Sequence, residues 1–325
     1  MLLRRRKFYI IIIAFLSTYI CIFASYQSIA ANKSSLIITQ KLSNQLCNNK
    51  NIGNELEPLN SQVLSRSEIL FKTKSSQTLS LSAAPLPSIH PAAKNAKIPV
   101  MMYHDIISEK KVIYDLTPQE LNQHFELIKS NQLTPISFNK LIAHLRTGSP
   151  LPKKPILLTF DDGYSGQYKY AYPLLKKYGY PAVFAVHTSA IGVSAGRGHI
   201  TWKQLKNMVN DPLITISSHS RTHPALTKIS DAQLEQEVVE SKRILESKLG
   251  RQIIYFTYPY GNYDSRVKKI VNKAGYLAAI AYGTPSEMFA GQSEDLFAIS
   301  RFEKSRLEKV IPQASANSTF PSCKL

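Results

Sequence analysis

Two adjacent carboxylates, Asp161 and Asp162, stand out as residues that could do chemistry. They follow residues 155–158 (PILL), an apolar run of strand length, and Gly163 after them allows the backbone to turn sharply. Ligands bind in α/β folds at the ends of such strands. Asp-Asp-Gly is also a common surface turn, so these residues alone leave a structural interpretation open.

Two histidines, His219 and His223, follow another apolar run at residues 213–216 (LITI). Pro224 disfavours helical angles at His223, so the pair is predicted on a loop at a strand end rather than on a helix. A single histidine there would more often be structural. Two histidines and a carboxylate at equivalent strand ends fit a catalytic zinc site with three protein ligands and one position open for water.

A third stretch, residues 256–261 (FTYPYG), also lies at the end of a predicted strand. Proline and glycine make a rigid turn, and its backbone N–H groups can point at a developing oxyanion. The three stretches therefore predict one functional edge of a sheet.

Apolar runs alternate with helical patterns from Lys97 onward, which predicts a parallel sheet in an α/β fold. The absence of a glycine-rich phosphate loop favours an irregular barrel of about seven strands over a dinucleotide-binding sheet. The predicted strands are Ile98–Tyr103, Pro155–Phe160, Ala182–His187, Leu213–Ser218, Ile253–Tyr258, Tyr276–Ala281 and Leu296–Ser300. The predicted helices are Pro118–Ser130, Gln167–Tyr178, Thr201–Val209, Asp231–Leu249 and Ser265–Ala274.

The N-terminus carries an export pattern: residues 4–7 (RRRK) precede an apolar run from Phe8 to Ala24. Residues 1–30 are predicted to be a cleaved signal peptide or a signal anchor, which places the rest of the chain outside the cytoplasm, secreted or held at the membrane. Residues 31–96 are rich in Ser, Asn, Lys and Gln and are predicted to be a flexible linker.

The whole chain has 325 residues and a formal net charge of +18, which favours anionic neighbours such as lipid head groups or wall polymers. No nucleic-acid-binding motif is present, so nucleic acid is not an expected partner. The three cysteines form no CxxC pair, which argues against a cysteine metal site. Pairing of Cys47 with Cys323 stays open.

The motifs TFDDGY (159–164), HSRTHP (219–224) and YPYG (258–261) together resemble those of the polysaccharide deacetylases, carbohydrate esterase family four. The resemblance covers residues 97–305, and we place the domain at 97–311 with a tail at 312–325. It implies a distorted (β/α) barrel and metal-dependent hydrolysis of an N-acetyl or O-acetyl group on a glycan.

The resemblance also assigns roles. Asp161 is then the general base, while Asp162, His219 and His223 bind one divalent ion, most simply zinc. The backbone N–H of Tyr260 would help to hold the oxyanion.

The chain departs from the commoner family pattern in two places. Many members have an arginine where this chain has Thr257, and many have a late histidine acid, whereas no histidine follows His223 here. The biofilm poly-N-acetylglucosamine deacetylases instead carry a Met-Tyr-His segment on the first strand, and residues 99–104 (PVMMYH) are similar to it. His104 is therefore the candidate acid, and Arg301, after the last predicted strand, is the candidate to orient the base.

The resulting expectation is an N-deacetylase that acts on an N-acetylglucosamine polymer, with poly-N-acetylglucosamine as the favoured acetylated glycan. An acetyl xylan esterase and a peptidoglycan or chitin deacetylase would use the same residues. A catalytically silent glycan-binding protein is an alternative of another class, and an intact metal triad and base argue against it.

Overall fold

The computed structural model describes residues 86–283 and 287–316. The predicted export segment, most of the predicted linker and all three cysteines lie outside these residues. None of the helices in the described part is long and apolar enough to cross a membrane.

Within residues 86–283 and 287–316, eight strands form one sheet in which every ladder is parallel. Seven of them follow one another in the order β7-β6-β5-β4-β3-β1-β8, and β2 pairs with β3 beside this path. Their bounds are β1 Val100–Tyr103, β2 Thr134–Pro135, β3 Pro155–Phe160, β4 Ala182–Val186, β5 Ile214–Ser218, β6 Tyr255–Thr257, β7 Ala278–Ile280 and β8 Phe302–Glu303.

The chain between Leu296 and Glu303 connects the two ends of this path. The N–H of Ala281 donates to Ile299 O at 2.8 Å, and that of Ile299 donates to Ala279 O at 3.0 Å, while β8 pairs with β1. The sheet therefore curls into an irregular barrel, as predicted. The predicted strand Leu296–Ser300 is reduced to one parallel bridge between Ile299 and Ile280. The residues before it form a turn, in which the N–H of Phe297 donates to Asp295 Oδ1 at 2.7 Å.

The helices lie between the strands, as α/β alternation predicts. They are α1 Pro118–Ser130, α2 Phe138–Thr147, α3 Tyr172–Tyr178, α4 Trp202–Met208, α5 Asp231–Glu235, α6 Ser241–Leu249, α7 Ser265–Lys273 and α8 Leu307–Val310. Two predicted helices contain a π-helical turn: Gln167–Ala171 precedes α3, and Gln236–Glu240 separates α5 from α6. Helix α2 was not predicted, although Ser137 caps its start and Gly148 ends it in the left-handed conformation.

Aromatic rings fill the layer between the sheet and α1. Tyr103, Phe160 and Phe184 occupy one register across β1, β3 and β4, with neighbouring ring centroids 5.1 and 5.0 Å apart. Because side chains alternate along a strand, Thr159 and Asp161 point to the opposite face. Packing of one face of β3 thus aims the predicted catalytic carboxylate away from α1.

The packed domain extends beyond the predicted limits of 97–311. Ile89, Ala93 and Ala96 are buried at its start and Ala316 at its end. A Cβ on Gly291 would lie 2.3 Å from Ala93 O, so the close approach of these two segments requires glycine. Small residues at 93 and 96 allow a short 3₁₀ turn to pack where a linker was expected.

Candidate metal centre and active site

The chain turns abruptly at the end of β3. Asp162 and Gly163 both have positive φ, at 75° and 72°, a conformation that Asp tolerates better than most residues and Gly adopts freely. A Cβ on Gly163 would lie 2.9 Å from Val186 Cγ1, so β4 leaves no room for a side chain there. The turn sends the carboxylates of Asp161 and Asp162 to different partners.

Asp162, His219 and His223 converge as the sequence predicts. Asp162 Oδ1 lies 3.5 Å from His219 Nε2 and 3.4 Å from His223 Nε2, and the two Nε2 atoms are 3.1 Å apart. Ligand atoms around a tetrahedral zinc at about 2.0–2.1 Å lie roughly 3.3 Å from one another. The three residues therefore fit a single ion in both donor type and spacing.

His219 is fixed in the tautomer that such a site needs. Its Nδ1 hydrogen bonds to the backbone oxygen of Thr257 at 2.7 Å, so that nitrogen is the donor and Nε2 keeps its lone pair. Burial acts to lower the pKa of His219, but Asp162 and Asp161 raise it above its ordinary value. Thr257, which stands where many relatives have arginine, thus contributes its carbonyl oxygen.

His223 is held by the loop that separates it from His219. Its φ is 62°, and its N–H donates to Ser220 Oγ at 3.0 Å, so the predicted loop conformation is confirmed. Glu237, in the second π-helical turn, accepts from the N–H of Arg221 at 2.9 Å and of Thr222 at 2.7 Å. Burial and the adjacent His219 lower the pKa of His223 to about 4, which leaves its ring neutral at neutral pH.

Asp161 has a buried cationic partner in Arg301. Arg301 Nη1 lies 2.8 Å from Asp161 Oδ1, and Nε donates to Ala281 O at 3.2 Å. The Arg301 side chain is 1% exposed. Burial acts to raise the pKa of Asp161, but Arg301 and His219 hold it below its ordinary value. The carboxylate is therefore ionised and oriented, as a base must be.

Gln167 in the first π-helical turn supports the same strand end. Its Nε2 donates to the backbone oxygens of Asp161 and His104, and its side chain is completely buried. Neither Gln167 nor Glu237 was predicted, because nothing in the sequence marks the extra residue of a π turn.

His104 lies on the wall of the cavity that contains Asp161 and the metal cluster. Its backbone oxygen accepts from Gln167 Nε2, which also binds Asp161 O, and its ring centroid lies 5.4 Å from that of Tyr114. Asp105, the next residue in the chain, is buried and binds Arg197 through Oδ2 at 3.0 Å.

The 258–261 turn closes another side of the cavity. Tyr260 has a φ of 57°, and Gly261 packs on Tyr282 so closely that a Cβ would lie 2.6 Å from its backbone nitrogen. The Tyr260 ring is 61% exposed and lies 4.7 Å from the His223 ring. Only its N–H was predicted to act, yet its side chain also borders the site.

One cavity of about 300 Å³ brings all of the predicted site residues together. It is lined by His104, Asp161, Asp162, His219, His223, Tyr260 and Arg301. Tyr114, Tyr164 and Arg197 also line it and were not predicted. A water or acetyl group entering this cavity would meet the ionised Asp161 carboxylate and the three candidate metal ligands.

Comparisons with known proteins agree with this geometry. The polysaccharide deacetylase profile matches residues 148–279. A putative polysaccharide deacetylase of Bacillus subtilis, YxkH, is 30% identical over 209 residues, 64% of this chain and 71% of that protein. The poly-β-1,6-N-acetyl-D-glucosamine N-deacetylase of Escherichia coli K12 is 30% identical over 112 residues, which are 31% of this chain and 17% of that enzyme.

A solved deacetylase structure has a similar fold. The Streptococcus pyogenes deacetylase PplD, determined in complex with acetate, superposes with a TM-score of 0.60 and 25% identity over 68% of this chain and 98% of that one. The motifs, the barrel, the metal cluster and these relatives identify the chain as a member of the polysaccharide deacetylase family.

Proposed function

We propose that this protein removes N-acetyl groups from an N-acetylglucosamine polymer, with poly-N-acetylglucosamine as substrate. The observation that carries the proposal is Asp161, buried, ionised and bound to Arg301 beside the Asp162, His219 and His223 cluster. His104 directly after the first strand and the relation to a poly-N-acetylglucosamine deacetylase favour this glycan.

The chemistry assigns a task to each residue. A divalent ion, zinc in our proposal, would polarise the acetyl carbonyl and acidify water. Asp161 accepts a proton from the attacking water, and Arg301 keeps the carboxylate in place. The N–H of Tyr260 stabilises the negative charge on the carbonyl oxygen. His104 gives a proton to the nitrogen as the C–N bond breaks, which yields acetate and a free amine.

Acetate release from a panel of glycans tests the proposal. The panel contains oligomers of β-1,6-linked N-acetylglucosamine, chitin oligomers, peptidoglycan and acetylated xylan, with Asp161→Asn as the inactive control. We expect the β-1,6-linked oligomers to be cleaved fastest, and Asp161→Asn to lose a factor of about 10²–10⁴. Release from xylan alone would indicate the esterase, and binding without release would indicate a silent glycan-binding protein.

We also propose that the protein works outside the cytoplasm, exported or anchored through residues 1–30. Support comes from the cationic residues 4–7 and the apolar run from Phe8 to Ala24. A reporter enzyme active only outside the cytoplasm, fused after residue 90, should be active. Replacing residues 4–7 and 8–24 by a neutral polar segment should abolish the signal, and an inactive reporter in a well-expressed native fusion would contradict the proposal.

A further inference from the structure

Arg197, on the wall of the cavity, joins the buried carboxylates of Asp105 and Asp115. Its guanidinium donates to Asp105 Oδ2 from Nε at 3.2 Å and from Nη2 at 3.0 Å, and it also binds Asp115. Asp105 and Asp115 are 2% and 1% exposed. Such carboxylates are costly to bury without a cation, and Arg197 is the cation that contacts both.

Asp115 ends a short loop at residues 107–116, which we call the wall loop. Asp115 Oδ2 accepts from the N–H of Lys111 at 2.8 Å and of Val112 at 3.0 Å. The loop is closed at its base, where Leu116 N donates to Asp105 O at 3.1 Å. The position of the wall loop therefore depends on the Asp115 carboxylate and on what binds it.

The wall loop presents an exposed aromatic ring to the catalytic cavity. Tyr114 is 48% exposed and lines the cavity, and its ring centroid lies 5.4 Å from that of His104. An exposed, apolar ring face next to the proposed leaving-group acid is suited to packing against a pyranose ring.

The Arg197 guanidinium is fixed on its other side by Tyr164, whose ring centroid it covers at 4.6 Å. Tyr164 lines the same cavity as Asp162, which lies two residues before it in the chain. Arg197 thus lies between the metal cluster and the wall loop. A lysine would keep the charge but could not reproduce the planar fork that meets Asp105 and Asp115 together.

We propose that Arg197 is a positioning residue that holds the wall loop so that Tyr114 packs against a sugar ring of the bound polymer. The proposal deepens and rests on the proposed glycan deacetylase function. It assigns Tyr114 to substrate binding rather than to the chemical step.

Arg197→Lys tests the positioning role, with Arg266→Lys as the matched control. Arg266 also ties a loop by several bonds, to Ile229 O, Leu226 O and Asp231, and does not line the cavity. We expect Arg197→Lys to speed amide hydrogen exchange in residues 107–116 and to raise KM about tenfold, with kcat within about threefold and metal content unchanged. Arg266→Lys should leave the hydrogen exchange of residues 107–116, KM, kcat and the metal content unchanged.

Two substitutions of Tyr114 test the proposed sugar contact separately. Tyr114→Ala should raise KM as Arg197→Lys does, and Tyr114→Phe, which keeps the ring, should restore it. Unchanged exchange in the wall loop, or KM within about twofold of the wild type in a folded Arg197→Lys protein, would overturn the proposal. So would a Tyr114→Ala variant with the wild-type KM.

Two further experiments cover the cases in which Arg197→Lys does not fold or the wild type is inactive. If Arg197→Lys does not fold, Asp115→Asn removes the charge at the loop end and is assessed by the same exchange and KM criteria. If the wild type hydrolyses no acetylated glycan, the proposed function fails, and oligomer affinity by calorimetry replaces KM. Equal affinities of wild type, Arg197→Lys and Tyr114→Ala would then overturn this proposal too.

Discussion

Asp161 shows how one side chain acquires its chemistry from its surroundings. Burial alone would make this carboxyl a weaker acid, but Arg301 at 2.8 Å reverses the effect and keeps its pKa low. The two residues are 140 positions apart in the chain. Arg301, directly before β8, thus holds the carboxylate that our proposal makes the general base.

Replacing Arg301 should show that Arg301 and Asp161 act as one unit in the reaction. Arg301→Met should lower kcat/KM by about 10- to 100-fold, the contribution of one charged hydrogen bond. The loss should not add to that of Asp161→Asn in the double variant, because both changes disable one unit. Steady-state kinetics of the four proteins measure this, with circular dichroism to check folding. Fully additive losses would separate Arg301 from the base.

His104 gives a prediction that distinguishes amide from ester chemistry. An amine leaves only if it is protonated, whereas an activated alkoxide leaves without help, so His104→Ala should abolish deacetylation of N-acetylglucosamine units and spare an activated acetyl ester. Both rates are measured on one purified variant whose metal content is known. Equal loss of both activities, with metal and fold intact, would remove His104 from the acid role.

The metal-ligand candidates could be predicted from the sequence because each motif specifies both the residue types and the strand end at which they lie. Asp162, His219 and His223 follow strands whose parallel pairing could be read from alternation, so their convergence was predictable. The ion pair of Asp105 with Arg197 was not predictable, because Arg197 belongs to a loop without a recognisable motif.

Two π-helical turns are the elements that hold the motif loops. Each aims one buried polar side chain, Gln167 or Glu237, at backbone groups of a loop that carries site residues. Both turns fell within helices whose overall extent was predicted. The extra residue in each turn could not be foreseen, because it leaves the helical pattern of apolar residues nearly unchanged.

Glu237→Gln should loosen the loop that carries His223. A glutamine offers one acceptor oxygen, whereas Glu237 accepts from two backbone N–H groups with Oε2 and from the Thr222 hydroxyl with Oε1. Metal affinity, measured by competition with a chelator, should fall about 10- to 100-fold, as for other residues that orient ligands.

Glu240→Gln is the matched control, because Glu240 lies in the same π turn and pairs with Arg243 at the surface. It should bind metal as the wild type does. Equal affinities of the Glu237 and Glu240 variants would show that the loop does not depend on Glu237.

Closure of the barrel completes the site by bringing Arg301 next to Asp161. The segment from Leu296 to Glu303 bonds to β7 and then pairs with β1, which carries Arg301 into the interior next to Asp161. The number of strands and their alternation with helices were predictable. The manner of closure was not, because the segment before β8 contributes only one parallel bridge, from Ile299 to Ile280, in place of the predicted strand.

A zinc titration of the chelated protein tests whether the proposed reaction depends on metal. Chelated protein is given increasing zinc while acetate release from β-1,6-linked N-acetylglucosamine oligomers is recorded against bound metal. We predict that activity is absent without metal, rises in proportion to bound zinc and saturates at one ion per chain, and that Asp162→Ala neither binds zinc tightly nor recovers activity. Full activity in the metal-free wild type, or zinc binding that Asp162→Ala leaves unchanged, would contradict this prediction.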